Sequence, residues 1–134
     1  MDWTIEFDKA IEQYLPDLEV LQDEPMSRHT TFRIGGPAKR MAFPSSREQL
    51  VLLMSFAKNY GANPLVIGNG SNLLVPDEGL DRLVIDTSAN LNRVERGSEN
   101  TVLADAGATL ARTADLACKS GLTGLEFAHG IPGT

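Results

Sequence analysis

Apolar side chains recur along this chain in two rhythms, one near the helical repeat and one of short unbroken runs, with polar or glycine-rich stretches between them. Residues 3–14 place Ile5, Ala10, Ile11 and Tyr14 among acidic neighbours, a helical spacing that stops before Pro16. This predicts a peripheral helix. Between residues 24 and 37, Pro25, Gly35, Gly36 and Pro37 flank the stretch Arg28-His29-Thr30-Thr31-Phe32-Arg33, which predicts an extended or looping segment. Residues 38–43 follow as a short strand.

Ser45 and Glu48 stand in the Ser-x-x-Glu order of a capping box, and Leu50, Leu53, Met54 and Ala57 then recur at helical spacing up to Gly61. A helix is expected there. Residues 64–67 form a β-branched run, and residues 73–75 resume it after a glycine-rich corner until Pro76-Asp77-Glu78-Gly79. Further short strands are expected at 83–85, 92–95 and 101–104, the last two around a turn at 96–100. A second helix is expected over 109–120, with Leu110, Ala114, Ala117 and Cys118 on its apolar stripe and Gly121 at its end.

These elements make an α+β chain of two small units. An N-terminal helical extension is expected over 1–23, a first unit over 24–80 and a second over 81–134. Residues 121–134 hold four glycines and a proline with no strand or helix after them. The second unit is therefore expected to be incomplete and the chain to be the N-terminal part of a longer protein.

Composition narrows the function classes. The 134 residues are 42% hydrophobic, enough for a modest core. Twelve Lys and Arg against eighteen Asp and Glu give a net charge of −6, which disfavours nucleic acid and anionic membrane as partners. An anionic ligand needs local donors. Apolar runs are too short for a membrane span, and the N-terminus lacks the basic region of a signal peptide, so a cytosolic setting is expected. One cysteine and two histidines offer neither an internal disulfide nor zinc-like spacing.

The candidate chemistry centres on residues 65–75, where Gly68-Asn69-Gly70-Ser71-Asn72 joins two apolar runs without a charged residue. Glycines let successive backbone N–H groups turn toward one anion, and Ser71 and Asn72 add side-chain donors. The corner starts like a dinucleotide fingerprint but has Leu73 where the third glycine belongs and no helix after it, which argues against a Rossmann site. No Gly-Lys-Ser/Thr is present, which excludes a Walker loop. A tight strand-to-strand turn and a phosphate cradle fit the local sequence equally well. Arg33, beside Gly35 and Gly36, can reach a phosphate or sit solvated. His29 and His129 lack a carboxylate at a telling interval and are read as structural. Cys118 is read as a small buried hydrophobe, and Trp3, Phe32, Phe43, Phe56, Phe127, Met26, Met41 and Met54 as core packing.

Four segments in series carry a resemblance: Thr30-Thr31-Phe32-Arg33-Ile34-Gly35-Gly36-Pro37-Ala38, Gly68-Asn69-Gly70-Ser71-Asn72-Leu73-Leu74, Ala106-Gly107-Ala108, and the run from Gly121 to Gly130-Ile131-Pro132-Gly133-Thr134. In order and spacing they closely resemble the UDP-N-acetylenolpyruvoylglucosamine reductase family over residues 24–134. The resemblance implies two small α+β subdomains of the vanillyl-alcohol-oxidase (PCMH) type with FAD between them. It also implies a cytosolic reductase that takes hydride from NADPH and turns an enolpyruvyl UDP-sugar into UDP-N-acetylmuramate for peptidoglycan.

By position, Gly68, Asn69, Gly70, Ser71, Asn72 and Leu73 take the pyrophosphate role, Ile131, Pro132, Gly133 and Thr134 line the flavin cleft, and Arg33 belongs to the first motif. The family's catalytic groups and its substrate domain correspond to positions after Thr134, so no catalytic residue and no turnover by these residues alone are expected. An FAD module of another oxidase of this fold, or a non-enzymatic α+β binding domain, are the alternatives.

Overall fold

The computed structural model describes residues 2–134. Its helices are α1 (Thr4–Tyr14), α2 (Arg47–Asn59) and α3 (Leu110–Lys119). Its strands are β1 (Glu19–Pro25), β2 (Pro37–Phe43), β3 (Leu65–Ile67), β4 (Leu80–Asp86), β5 (Val94–Arg96) and β6 (Val102–Ala104). Single 3-10 turns lie at Met26–Arg28 and Glu126–Ala128.

A four-stranded sheet in the order β1-β2-β4-β3 organises the first unit. β1 runs antiparallel to β2, whereas β2, β4 and β3 are mutually parallel, so three strands end at the same edge. Alternation along the strands feeds two cores. Ala42, Leu83 and Ile85 join Phe7, Ile11, Leu53 and Ala57 of the two helices on one face, and Met41, Phe43 and Val84 join Met26, Ile67 and Val75 on the other. Arg40 ties the sheet to α1, its Nη2 donating to Asp8 Oδ2 at 2.7 Å and its Nε to Oδ1 at 3.0 Å.

Several expectations change. β1 replaces a looping start, and its pairing with β2 makes residues 19–25 part of the sheet instead of an extension. The expected boundary at 80/81 falls inside β4, which lies between β2 and β3, so the first unit as folded runs through Asp86. Residues 73–75 form no strand; Val75 is buried against Gly35, where a Cβ would lie 2.8 Å from Val75 Cβ. On α1 it is Phe7, Ala10 and Ile11 that face inward, while Ile5 and Tyr14 are exposed. The α2 cap sits one residue later than expected: Ser46 accepts the N–H of Gln49 at 3.1 Å, and Gln49 Oε1 accepts that of Ser45 at 2.8 Å.

The second unit packs α3 on the β5–β6 hairpin. Its buried residues include Ala108, Ala114, Ala117 and Ala128, which remove little apolar area, so polar ties supplement them. Arg112 Nη1 donates to Asn92 O at 2.8 Å and Arg96 Nη1 to Ser120 O at 3.0 Å. Thr109 caps α3 by accepting from Arg112 N, and Gly121 at φ +72° ends it, with Leu122 N–H bonded to Ala117 O at 2.9 Å. Gly107 packs against the segment that follows β4: its N–H reaches Leu91 O at 2.8 Å, and a Cβ there would strike the Thr87 carbonyl.

Candidate functional site

Parallel strands collect their following loops at their carboxyl ends, and ligand sites of such sheets form there. β3 and β4 end in register, Ile67 opposite Asp86. The Ile67 carbonyl accepts both the N–H and the hydroxyl of Thr87, at 3.0 and 3.1 Å, which fixes the point where residues 68–73 leave the sheet.

The C-terminal residues come back to that point. Leu110 N–H, at the start of α3, donates to Gly133 O at 3.0 Å and sets the tail beside the glycine corner. Residues 68–73 with Pro132, Gly133 and Thr134 line a cleft of about 350 Å³ in which no side chain is charged. The approach is close: a Cβ on Gly68 would land on the Thr134 hydroxyl, and one on Gly133 would lie 3.1 Å from Ser71 Oγ. The backbone N–H groups of residues 68–72 have no acceptor among the described residues. Neutral donors spread over backbone, Asn69, Ser71, Asn72 and Thr134 suit a diphosphate held by many hydrogen bonds. Nine of the eleven sequence-predicted site residues thus meet in one cleft.

The other two lie elsewhere. Ile131 is exposed outside that lining, its N–H bonded to Ala128 O at 3.2 Å. Arg33 lines an adjoining cleft of about 720 Å³, together with Ser27, Arg28, Thr31, Asp86 and Asn69. Asn69 lines both clefts. Residues 27–31 were missed as lining because the turn that holds them meets residue 69 only through the fold. Sequence spacing also hides the partner of His29: its Nε2 lies 2.9 Å from Glu24 Oε1, and its ring centroid lies 5.9 Å from that of Phe43.

Gly70 has a second duty. At φ +70° it is buried, its carbonyl accepts Thr31 N–H at 3.1 Å, and a Cβ on it would strike the His29 carbonyl. Its lack of a side chain is required by this backbone packing before any ligand arrives.

Away from these clefts, Cys118 is exposed, contrary to its expected burial, and lines a hollow of about 310 Å³ with Leu122, Leu125, Glu126 and His129. The Glu126 carboxyl is held below its usual range by its own backbone N–H and that of Gly124. Phe32 and Phe127 are exposed at 56% and 71%, and Met54 is also exposed, so these do not serve as core. Met26 and Met41 do.

Residues 38–134 match the model of a family described as FAD binding domain. The chain is 49% identical over 117 residues to a UDP-N-acetylenolpyruvoylglucosamine reductase of Moorella thermoacetica, covering 87% of this chain and 38% of the relative. Against the enzyme of that name from Agathobacter rectalis, identity is 44% over 139 residues, covering 96% of this chain and 44% of the relative. The crystal structure of the Thermus caldophilus reductase superposes with a TM-score of 0.58 at 31% identity over 87% of this chain and 38% of that one. An alkyldihydroxyacetonephosphate synthase, at 23% identity and a TM-score of 0.65, shares the fold over 87% of this chain and 24% of its own. The chain thus spans about two-fifths of the length of the curated relatives it matches. It belongs to the FAD binding domain family, and corresponds within it to the N-terminal FAD-binding part of the UDP-N-acetylenolpyruvoylglucosamine reductases.

Proposed function

We propose that the cleft between residues 68–73 and 132–134 grips the pyrophosphate of FAD, and that the protein carrying this domain reduces UDP-N-acetylenolpyruvoylglucosamine to UDP-N-acetylmuramate at the expense of NADPH for peptidoglycan. The observation that carries the reading is the meeting of two glycine-containing stretches, one from each unit, with unspent backbone N–H groups between them. Bound FAD would supply hydride chemistry between the nicotinamide and the enolpyruvyl double bond. The residues of this chain bind and orient: the Gly68 and Gly133 backbones admit the diphosphate at close range, and Asn69, Ser71, Asn72 and Thr134 complete its hydrogen bonds. The uncharged walls keep the grip independent of long-range attraction, which the net charge of −6 would oppose. A cytosolic setting agrees with a UDP-sugar and NADPH as reactants.

The test uses the whole protein that carries this domain. Purified, it should show the two visible bands of bound flavin, and NADPH oxidation should depend on the enolpyruvyl UDP-sugar. A colourless protein that takes up no added FAD overturns the site. A yellow protein inert toward that substrate overturns the reaction but leaves the site.

A further inference from the structure

Apart from Asn69, the adjoining cleft has no part in the grip described above, yet it is better equipped for an anion. We propose that the turn carrying Ser27, Arg28, Thr31 and Arg33 forms a second phosphate subsite, continuous with the first through Asn69, for the phosphate or diphosphate of a nucleotide. The identity of the possible nucleotides rests on the FAD reading; the subsite itself rests on the following geometry.

Both guanidinium groups are available. Arg33 makes no ion pair and no side-chain hydrogen bond among the described residues. Arg28 approaches Glu24 Oε1 only to 3.9 Å, while His29 Nε2 holds that same oxygen at 2.9 Å. The one carboxylate in the cleft is already engaged: Asp86 Oδ1 accepts Ser88 N–H at 2.7 Å, Ser88 Oγ–H at 2.8 Å and Ala89 N–H at 3.1 Å. The hydroxyls of Ser27 and Thr31 and the amide of Asn69 have no protein partner among the described residues, so neutral donors flank the two cations.

The backbone gives an independent sign. Arg33 adopts φ +55°, a left-handed conformation that costs a residue with a side chain roughly 1–2 kcal/mol and that glycine or asparagine takes more easily. Its turn is locked by Arg33 N–H to Thr30 O and by Thr30 Oγ–H to Ile34 O, each at 3.1 Å. An arginine kept in that place presents a fork suited to phosphate oxygens. Thr31 N–H on Gly70 O then fixes the subsite at a constant distance from the first cleft.

Three probes separate the sources: FAD, whose own diphosphate can extend into the subsite; 2′,5′-ADP, which carries the 2′- and 5′-phosphates of the adenosine half of NADPH; and UDP, which carries the diphosphate of the sugar nucleotide. Binding of each to the whole protein that carries this domain, freed of flavin, is measured by calorimetry, the latter two with and without saturating FAD. Arg33→Asn suits the left-handed backbone, so the fold should survive, and circular dichroism checks it. Arg28→Gln/Arg33→Asn should weaken at least one probe by about tenfold to a hundredfold, and Arg33→Lys should weaken it less because the charge remains.

Loss confined to FAD assigns the subsite to the flavin's diphosphate, loss confined to 2′,5′-ADP to the nicotinamide nucleotide, and loss confined to UDP to the sugar nucleotide. The proposal falls if every probe that binds the wild-type protein binds the folded double variant equally well, or if no probe binds at all. Failure of FAD alone to bind wild type sinks the cofactor reading and leaves the other two arms to decide the subsite.

Discussion

Gly70 and His29 touch through backbone alone: the space a Cβ on Gly70 would fill is held by the His29 carbonyl, and the neighbouring Thr31 N–H donates to Gly70 O. The glycine corner is therefore propped from behind by the same turn that carries Arg28 and Arg33. Gly70→Ala combines a left-handed backbone with a backbone collision, and should cost roughly 2 kcal/mol or more of folding stability with no ligand present. A urea titration of the flavin-free chain reads it. An unchanged midpoint would mean that the prop is dispensable.

Gly68 makes the opposite case. The nearest atoms to its Cβ would be those of the Thr134 side chain, its hydroxyl first, and its φ is not in the left-handed region. Gly68→Ala should leave the urea midpoint within about 0.5 kcal/mol of wild type while weakening FAD, because the tail is pushed off the corner. Adding Thr134→Ala removes the obstacle and should recover part of the affinity. Equal FAD binding by Gly68→Ala and wild type would show that the tail does not form a wall of the flavin site.

Asp8 holds the nearly buried guanidinium of Arg40 with two nitrogens. Asp8→Ala leaves that charge with the Lys39 carbonyl at 2.7 Å as its remaining protein partner. The loss should be about 1–3 kcal/mol, below the usual figure for a fully buried pair because Asp8 is itself partly exposed. Thermal unfolding of the variant, compared with Asp8→Asn, measures it.

The pH response of the N-terminus follows from a surface network. Trp3 Nε1 donates to Asp81 Oδ1 at 3.1 Å, and Lys39 Nζ lies 3.2 Å from Asp81 and 3.3 Å from Asp2. Bonds from the Thr4 hydroxyl and N–H hold Asp2 at about 2 instead of 3.8, and the Trp3 indole and then Lys39 lower Asp81. Carboxylates lowered by folding stabilise the fold above their ordinary value, and that contribution is lost as pH falls through the folded value. Asp81, chiefly, raises Lys39, whose contribution is present below 10.5 and is lost as pH rises through its folded value. Trp3 is the sole tryptophan, so its emission should shift as pH falls below the ordinary carboxylate value of 3.8, through the lowered value of Asp81. The global melting point should move little, since these groups face solvent. Asp81→Asn should flatten the Trp3 titration; an identical curve would remove Asp81 from the account.

Helices α2 and α3 were legible because local signals agreed: a serine cap before α2, expected at Ser45 and found at Ser46, apolar spacing in both, and glycines just past the ends. β1 was not, for physical reasons. It is an acidic edge strand ending in Pro25, paired on one side only, and Asp23 at φ +49° interrupts its alternation between Gln22 and Glu24. Residues 73–75 mislead in the other direction, since Val75 is apolar in order to fill the space beside Gly35 and not to pair in a sheet. The glycine corner and the tail could be found from their motifs. The arginine-lined cleft could not, because Ser27, Asn69 and Asp86 come together only through the sheet.

The hydrogen bond from Leu110 N–H to Gly133 O makes the tail part of the second unit, while the corner it faces is rooted in the first. A ligand that touches both walls is then a cross-link between two separately packed bodies. By linkage, its free concentration sets how firmly they dock: at about one hundred times the dissociation constant it adds roughly 2.7 kcal/mol to the joined form. In cells poor in flavin the two halves would be held by the protein's own contacts alone, such as Asn90 Nδ2 on Phe43 O at 3.1 Å, and in cells rich in it they would gain one more link.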